Sequence, residues 1–385
     1  MPHILEETDI LFYLTNLAMT NVQRHLRVAS SGARVTVVYW KRPDINFPCD
    51  LSDRILTIPV EAAFFNHSAV GRMVAFLIFA LKSWRLLRRA RGAKKVYVNY
   101  LDVLGVASLA LWKKDVAFIY SVADLSPVQY GRRRWLNATV ARAEKWLIRK
   151  VRYLILTSPF FWSEYYSKIY SGRWHLIENL PEAKVWENFR RRERRGDCVI
   201  GYIGWIRECR PVACLFEAVA QLRAENYDVS VFFAGFGPEE AEVKALAKGR
   251  NDILFYGPYA YEQDIANLYG RVDMVFAVYD ATVANSQILM PHRFYEAVIC
   301  GLPILAARGT KLAERVDALG VGYTVDCLST EQMKAALMSH LTCDSHASRI
   351  SASLKAADKS AYFYDQYDTV LSEIFAIATR KDDVQ

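Results

Sequence analysis

Gln287–Thr310 reads QILMPHRFYEAVICGLPILAARGT, and its punctuation prescribes an order of elements. Pro291 biases Met290 away from helix and suits a first helical turn. Gly301 can take the left-handed conformation that ends helices, and Pro303 cannot continue one. The apolar run Leu302–Ala307 then reads as a buried strand. The order is loop, short helix over 292–300, tight turn, strand. Arg293 and Glu296 are three residues apart, so they are neighbours on one face of the helix's first turn. A cation beside the free amides of a helix start suits a phosphate. A carboxylate at the same place needs a partner of its own, such as a pair of ribose hydroxyls.

Outward from this stretch, the second half of the chain alternates strands with helical patterns. Strands are expected at Cys198–Gly204, Asp228–Ala234, Asp252–Tyr256, Asp273–Val278 and Leu302–Ala306. Helical runs of roughly 10–15 residues between them predict a doubly wound parallel sheet. The first of these strands leads into GYIGWIRECRPVACLFEAV, residues 201–219. Gly201 and Gly204 permit close backbone approach where strand turns to helix. Arg207 and Arg210 follow, with a helix expected from about Pro211, a favoured first helical residue. Gly235 and Gly237 form a Gly-x-Gly-Pro turn after the second strand, which keeps side chains out of the crevice there.

The first half has the same rhythm. Asp9–Leu14, Arg34–Trp40, Lys95–Tyr100, Asp115–Ser121 and Tyr153–Pro159 read as strands, with a helix from Thr15-Asn16 to about Ser31 after the first. Asp124 falls just past a strand's carboxyl end, where open α/β sheets place ligands; a turn or N-cap aspartate is the competing explanation. Residues 70–95, VGRMVAFLIFALKSWRLLRRARGAKK, hold a nine-residue apolar run from Met73 to Leu81. That is far short of the roughly 20 residues needed to span a bilayer. Its flanks are crowded with Lys and Arg, the profile of an amphipathic helix lying on an anionic membrane. Arg85, Arg88, Arg89 and the later Arg132 are the candidate contacts for membrane or acceptor. A core-packed helix with a solvated basic end is the alternative.

The 385 residues suit two domains, and 52% hydrophobic content allows sizeable cores. Seven scattered cysteines without a CxxC pair point to neither a disulfide framework nor a zinc site, and a reducing cytoplasm is expected. The start, MPHILEE, is acidic where a signal peptide would be basic. The net charge of +8 divides as +13 over residues 1–190 (28 Lys and Arg, 15 Asp and Glu) and −5 over 191–385 (21 and 26). The basic half fits a membrane face or a diphosphate-linked substrate. Nucleic acid is disfavoured, because the basic residues lie among long apolar runs and no recognition motif appears. The polar, charged stretch Lys184–Gly196, with ENFRRRERRGD, reads as an interdomain linker.

Met290–Ala306, MPHRFYEAVICGLPILA, resembles the donor-sugar-nucleotide motif of GT-B glycosyltransferases, especially the family 4-like group. Many members carry Pro-Asn-Lys-hydrophobic-aromatic-Glu, a small-residue helix and Gly-x-Pro. The resemblance implies that Arg293, at the Lys position, contacts the nucleotide diphosphate and that Glu296 binds the ribose. Many members have a further Glu eight residues before this one, where Ile288 stands here. The 201–211 loop resembles the family's Gly-x-x-x-x-x-Lys-Gly diphosphate loop, with Arg210 at the Lys position. Gly235, Gly237 and Tyr256 resemble turns and a strand end that line the nucleotide site. Asp124 resembles the position where many GT-B enzymes have His-Asp, with Ala123 in place of the His, or where some inverting members place a base Asp.

The implied fold class is α/β: two doubly wound Rossmann-like domains facing a cleft, the last helix crossing back to the first domain. The expected bounds are 1–188 for the acceptor side, 197–345 for the nucleotide-sugar side, and 346–385 for helices packing back. The implied activity is transfer of a sugar from a UDP- or GDP-linked donor to a lipid-linked or glycan acceptor. No cofactor and no metal are expected, since no Asp-x-Asp sits in a suitable loop. The implied location is cytoplasmic, peripheral on the inner face of the cell membrane. A sugar-nucleotide epimerase of the same fold, or a non-catalytic nucleotide-sugar or membrane-binding module, are the alternatives.

Overall fold

The computed structural model describes residues 7–17, 19–42, 54–62, 69–90, 92–125, 134–193 and 196–377. The chain divides into two compact units, Met1–Glu178 with Tyr367–Gln385, and Asn179–Gln366. Each is built on one parallel sheet.

The first unit's strands are β1 (Ile10–Leu14), β2 (Val35–Lys41), β3 (Ile55–Glu61), β4 (Lys95–Val98), β5 (Ala117–Val122), β6 (Val151–Leu156) and β7 (Arg173–Leu176). Their order is β3-β2-β1-β4-β5-β6-β7, so the winding reverses between β1 and β4. Its helices are α1 (Thr20–Gly32), α2 (Ala69–Arg89), α3 (Leu101–Ala110), α4 (Arg134–Leu147) and α5 (Pro159–Glu164). All of β1 and β4 is buried, as expected of central strands covered on both faces. The two strands not anticipated from the pattern, β3 and β7, are the sheet's edges. Edge strands alternate less cleanly, and only there is a proline such as Pro59 of β3 tolerated.

In the second unit the strands are β8 (Cys198–Ile203), β9 (Val229–Ala234), β10 (Ile253–Gly257), β11 (Met274–Ala277), β12 (Ile304–Ala307) and β13 (Gly322–Val325), in the order β10-β9-β8-β11-β12-β13. The reversal here falls between β8 and β11. The helices are α6 (Cys209–Ala224), α7 (Glu240–Leu246), α8 (Tyr261–Tyr269), α9 (Ala284–Ile288), α10 (His292–Cys300), α11 (Lys311–Leu319), α12 (Thr330–Thr342) and α13 (Ser345–Ala356). The chain then returns to the first unit, where α14 (Asp368–Phe375) packs on α1. Phe375 lies 5.8 Å from the Phe12 ring, and the Lys95 ammonium donates to the carbonyls of Ile374 and Ala376 at 2.6 Å each.

Three boundaries differ from the expected ones. The charged stretch near 187–197 belongs to the second unit, because Trp186 is buried edge-on against Tyr269 and Arg192 reaches Asp273 at 3.6 Å. α13 also stays in the second unit, where Ile350 and Leu354 are buried. Lastly, residues 359–367, within the stretch expected as helices packing back, form two short 3-10 turns. Polar contacts break the run there: Tyr364 donates its amide to the Pro181 carbonyl at 2.9 Å, and Asp365 accepts from the Ala183 amide at 3.0 Å.

Candidate functional site

α10 spans the expected residues and ends at Gly301, whose φ is +65°. The Leu302 amide bonds back to the Ala297 carbonyl at 2.9 Å, closing the helix end. Every residue from Arg293 to Cys300 is buried, so the helix carries two charged side chains into the interior. Arg293 is 6% exposed. It donates to the Phe276 carbonyl at the end of β11 at 3.0 Å, and its guanidinium lies 4.4 Å from the Tyr202 ring centre and 5.5 Å from that of Tyr279. Among the described residues no carboxylate pairs with it. Aromatic faces attract the cation but leave its charge uncompensated.

Glu296 is 3% exposed. It accepts from the Tyr261 hydroxyl at 2.7 Å and the Tyr269 hydroxyl at 2.6 Å, and His292 Nδ1 stands 3.3 Å away. Burial alone would push this carboxyl up, but His292 and the two phenols together hold it below the usual range. Tyr259 belongs to the same cluster: burial, then the charge of Glu296, pushes its phenol up.

Glycine lets the loops above the sheet lie against one another. Gly204 (φ +122°) donates to the Ala234 carbonyl at 2.8 Å, and Ile206 donates to that of Phe236 at 2.9 Å. A Cβ on Gly235 (φ +129°) would sit 2.0 Å from the Gly204 oxygen, and one on Gly237 2.1 Å from the Ile206 oxygen. These two glycines therefore serve loop-to-loop packing. Gly204 is different: its missing Cβ would lie 3.1 Å from Arg293 Nη2, so bare backbone meets the guanidinium.

The other sequence candidates separate. The Arg207 guanidinium lies 5.1 Å from the Tyr279 ring centre, so it shares that ring with Arg293. Arg210 is 67% exposed along its side chain and pairs with Asp280 at 3.3 Å. Asp280 is held below the usual range, first by its bond from Thr282. At the start of α6 the Cys209 amide is taken by the Glu239 carboxylate. Tyr256 does not join the cluster. Its ring neighbours Phe232 at 6.3 Å and Arg271 at 5.6 Å, whereas Phe233 stacks on Tyr202. Strand alternation thus aims Tyr256 at the opposite sheet face. The residues that do surround Arg293 and Glu296 are Tyr202, Tyr259, Tyr261, Tyr269, Tyr279 and His292. The density of tyrosine at 256–261 is a sequence signal for Tyr259 and Tyr261 alone.

The carboxyl ends of β8 and β11 thus frame a buried cation and a carboxylate, at the sheet's reversal point. Residues 197–343 match the family model described as glycosyl transferases group 1, and residues 18–179 the one described as glycosyl transferase 4-like domain. The chain belongs to the GT-B glycosyltransferases. It is 25% identical over 344 residues to the succinoglycan biosynthesis protein ExoL of Rhizobium meliloti strain 1021, covering 86% of this chain and 84% of that one. Its fold is shared with sucrose-phosphate synthase of Thermosynechococcus elongatus, at 15% identity and a TM-score of 0.70, over 95% and 98% of the two chains. It is also shared with Anabaena HepE solved with UDP and glucose, at 16% identity and a TM-score of 0.66, over 95% and 99%.

In the first unit of this glycosyltransferase, Asp124 lies two residues past β5 and is half-buried. It stands near Tyr100, whose phenol is pushed up to about 12 by burial, with the charge of Asp124 next in size. Arg85, Arg88 and Arg89 are exposed near the end of α2; Arg132 lies outside the described residues. α2 also exposes Val70, Met73, Val74, Leu77 and Leu81, the last by 74%. Their helical spacing makes one apolar stripe, and α2 contains no acidic residue. No helix among the described residues is long and apolar enough to cross a membrane.

Proposed function

We propose that this glycosyltransferase moves a sugar from a UDP- or GDP-linked donor to a lipid-linked or polysaccharide acceptor, working on the inner face of the cell membrane. The observation that carries the donor reading is Arg293, a guanidinium 6% exposed with rings and a carbonyl around it and no carboxylate pairing with it among the described residues. A buried charge without a counter-ion is costly, and a diphosphate would supply one. HepE, solved with UDP and glucose, and ExoL, a succinoglycan biosynthesis protein, support the same class of donor and acceptor.

In the reaction an acceptor hydroxyl oxygen bonds to the anomeric carbon as the carbon–oxygen bond to the diphosphate breaks. The leaving nucleoside diphosphate gathers negative charge. Arg293, with Arg207 from the loop before α6, would stabilise it as fixed cations, and Arg210, in the first turn of α6, would add its charge by leaving Asp280, with no obligatory metal. The side-chain-free backbone of Gly204 next to Arg293 supports a phosphate position there. Glu296 retains lone pairs beyond those used by Tyr261 and Tyr269, enough to accept from ribose hydroxyls. Asp124 would take the acceptor's proton in an inverting reaction and position the acceptor in a retaining one. The stripe on α2 and the arginines that follow it suit a bilayer with anionic headgroups.

Thermal unfolding with UDP-, GDP- and ADP-sugars tests the donor, since a ligand that binds the fold raises its melting temperature. One sugar nucleotide should stabilise the wild type, and Arg293→Met should lose that stabilisation. Equal stabilisation of the variant removes the site assignment. Flotation with vesicles, with and without anionic lipid, tests the membrane contact; recovery in the lipid-free fraction from both would end it.

A further inference from the structure

The first unit has its own reversal point, between β1 and β4, and a pocket of about 320 Å³ opens there. Asn16 follows β1 and Tyr100 follows β4; Trp40 and Arg42 come from the end of β2; Arg72 and Phe76 come from α2. Arg42 is placed with care: its guanidinium lies 5.8 Å from the Trp40 ring centre. That indole stacks on Phe79 at 5.3 Å and donates to the Ala62 carbonyl at 3.2 Å, so the platform is rigid. Among the described residues that line this pocket, the charged ones are Arg42, Arg72 and Asp102. Arg72 belongs to the helix that carries the exposed apolar stripe. From Val70 to Leu81 that stripe runs about 16 Å at the α-helical rise. Cations at one end of a hydrocarbon-sized strip match an amphiphile with an anionic head.

We propose that this pocket takes the phosphate or diphosphate of an acceptor carried on a hydrocarbon chain, with Arg42 and Arg72 on the phosphoryl oxygens and the chain along the α2 stripe. The inference rests on the lipid-linked acceptor put forward above and names the residues that would hold it. Guanidinium forks suit phosphoryl oxygens better than a point charge does. Tyr100, in the pocket wall, also feels the charge of Asp124, so a sugar on this carrier would stand near the proposed proton acceptor.

Farnesyl diphosphate is the probe, measured by isothermal titration beside farnesol, inorganic pyrophosphate and phosphatidylglycerol vesicles. The wild type should bind it at least about 10-fold more tightly than farnesol or pyrophosphate, and Arg42→Gln with Arg72→Gln should weaken it by about 10-fold or more. Stabilisation by the sugar nucleotide should survive in that double variant, which shows the fold intact. Leu77→Asn with Leu81→Asn should weaken farnesyl diphosphate and leave pyrophosphate unchanged. Unchanged affinity in the arginine variant overturns the proposal, as does pyrophosphate binding as tightly as the lipid. Vesicle binding that falls with the arginine pair while farnesyl diphosphate does not would assign these residues to headgroups and also overturn it. A parallel assay with labelled sugar nucleotide and total membranes separates the two readings. Label entering the lipid extract equally with wild type and arginine variant sinks the pocket alone. Label entering only water-soluble glycan sinks the lipid-linked acceptor and the pocket with it.

Discussion

Glu144 in the first unit and Glu296 in the second are both buried carboxylates clasped by phenols. Glu144 is fully buried and accepts from Tyr120 at 3.1 Å, Tyr165 at 3.0 Å and Tyr166 at 2.6 Å. Glu296 has Tyr261, Tyr269 and His292. Their titration differs in direction. Burial pushes Glu144 up in spite of its three donors, whereas His292 and the phenols bring Glu296 down in spite of burial. Among the described residues no basic side chain pairs with Glu144. Glu296 shares α10 with Arg293, with which no carboxylate pairs among the described residues, beside the side-chain-free backbone of Gly204. A tyrosine-bound carboxylate is therefore a structural device in either unit. What sets Glu296 apart, under the proposed donor site, is the neighbouring Arg293 and the glycine backbone beside it.

The contrast can be broken in several ways. The largest effect is expected from Gly235→Ala, which should cost about 3 kcal/mol or more in urea unfolding, since strain at positive φ adds to a backbone clash. A cost below about 1 kcal/mol would mean the loops yield easily. Next, Glu296→Gln should weaken the stabilising sugar nucleotide by about 10-fold or more in titration, and Glu144→Gln should leave its affinity unchanged. Equal losses in the two variants would erase the distinction.

The third effect is a matter of sign. Glu296 is depressed in the fold, so the unfolded chain binds the proton more readily. Its contribution is present above the ordinary glutamate value of 4.5 and is lost as pH falls through the folded value. Glu144 is raised, so its contribution is present below 4.5 and is lost as pH rises through the folded value. Stability measured against pH for each Gln variant, relative to wild type, should differ with opposite slopes. Slopes of the same sign would contradict the two environments. The smallest effect comes from Gly105→Ala in α3, where the added Cβ meets Leu147 Cδ1 at 3.7 Å, an ordinary contact. Helix propensity then favours alanine by about 0.5–1 kcal/mol, readable as a higher urea midpoint.

Much of the architecture was legible before any coordinate. Pro291 and Gly301 bracketed α10 at its observed ends, and strand–helix alternation announced two parallel sheets. β3, β7 and β13 escaped: all three are sheet edges, β3 and β7 are half-exposed, and β7 and β13 are only four residues long. The linker was misread because a run of arginines looks solvated until Arg192 is seen to reach Asp273. Within the site, Arg293 and Glu296 were marked by spacing, while their phenolic partners were not. Tyr269 and Tyr261 stand 27 and 35 residues from Glu296, and no local period connects them. Tyr256 was proposed from its place at a strand end, yet alternation on β10 turns it to the other face.

Local chemistry thus decided, from the sequence alone, where helices start and stop, which residues share a face, and that a cation and a carboxylate open one helix. Only the tertiary structure decided that Arg293 would be shut among rings with no acid paired to it among the described residues, that Glu296 would be held by phenols, and that Arg210 would turn outward to Asp280. Backbone preferences act over a few residues and can be read along the chain. Charge compensation depends on what distant segments bring within a few ångströms, and that is known only once the sheet has closed around it.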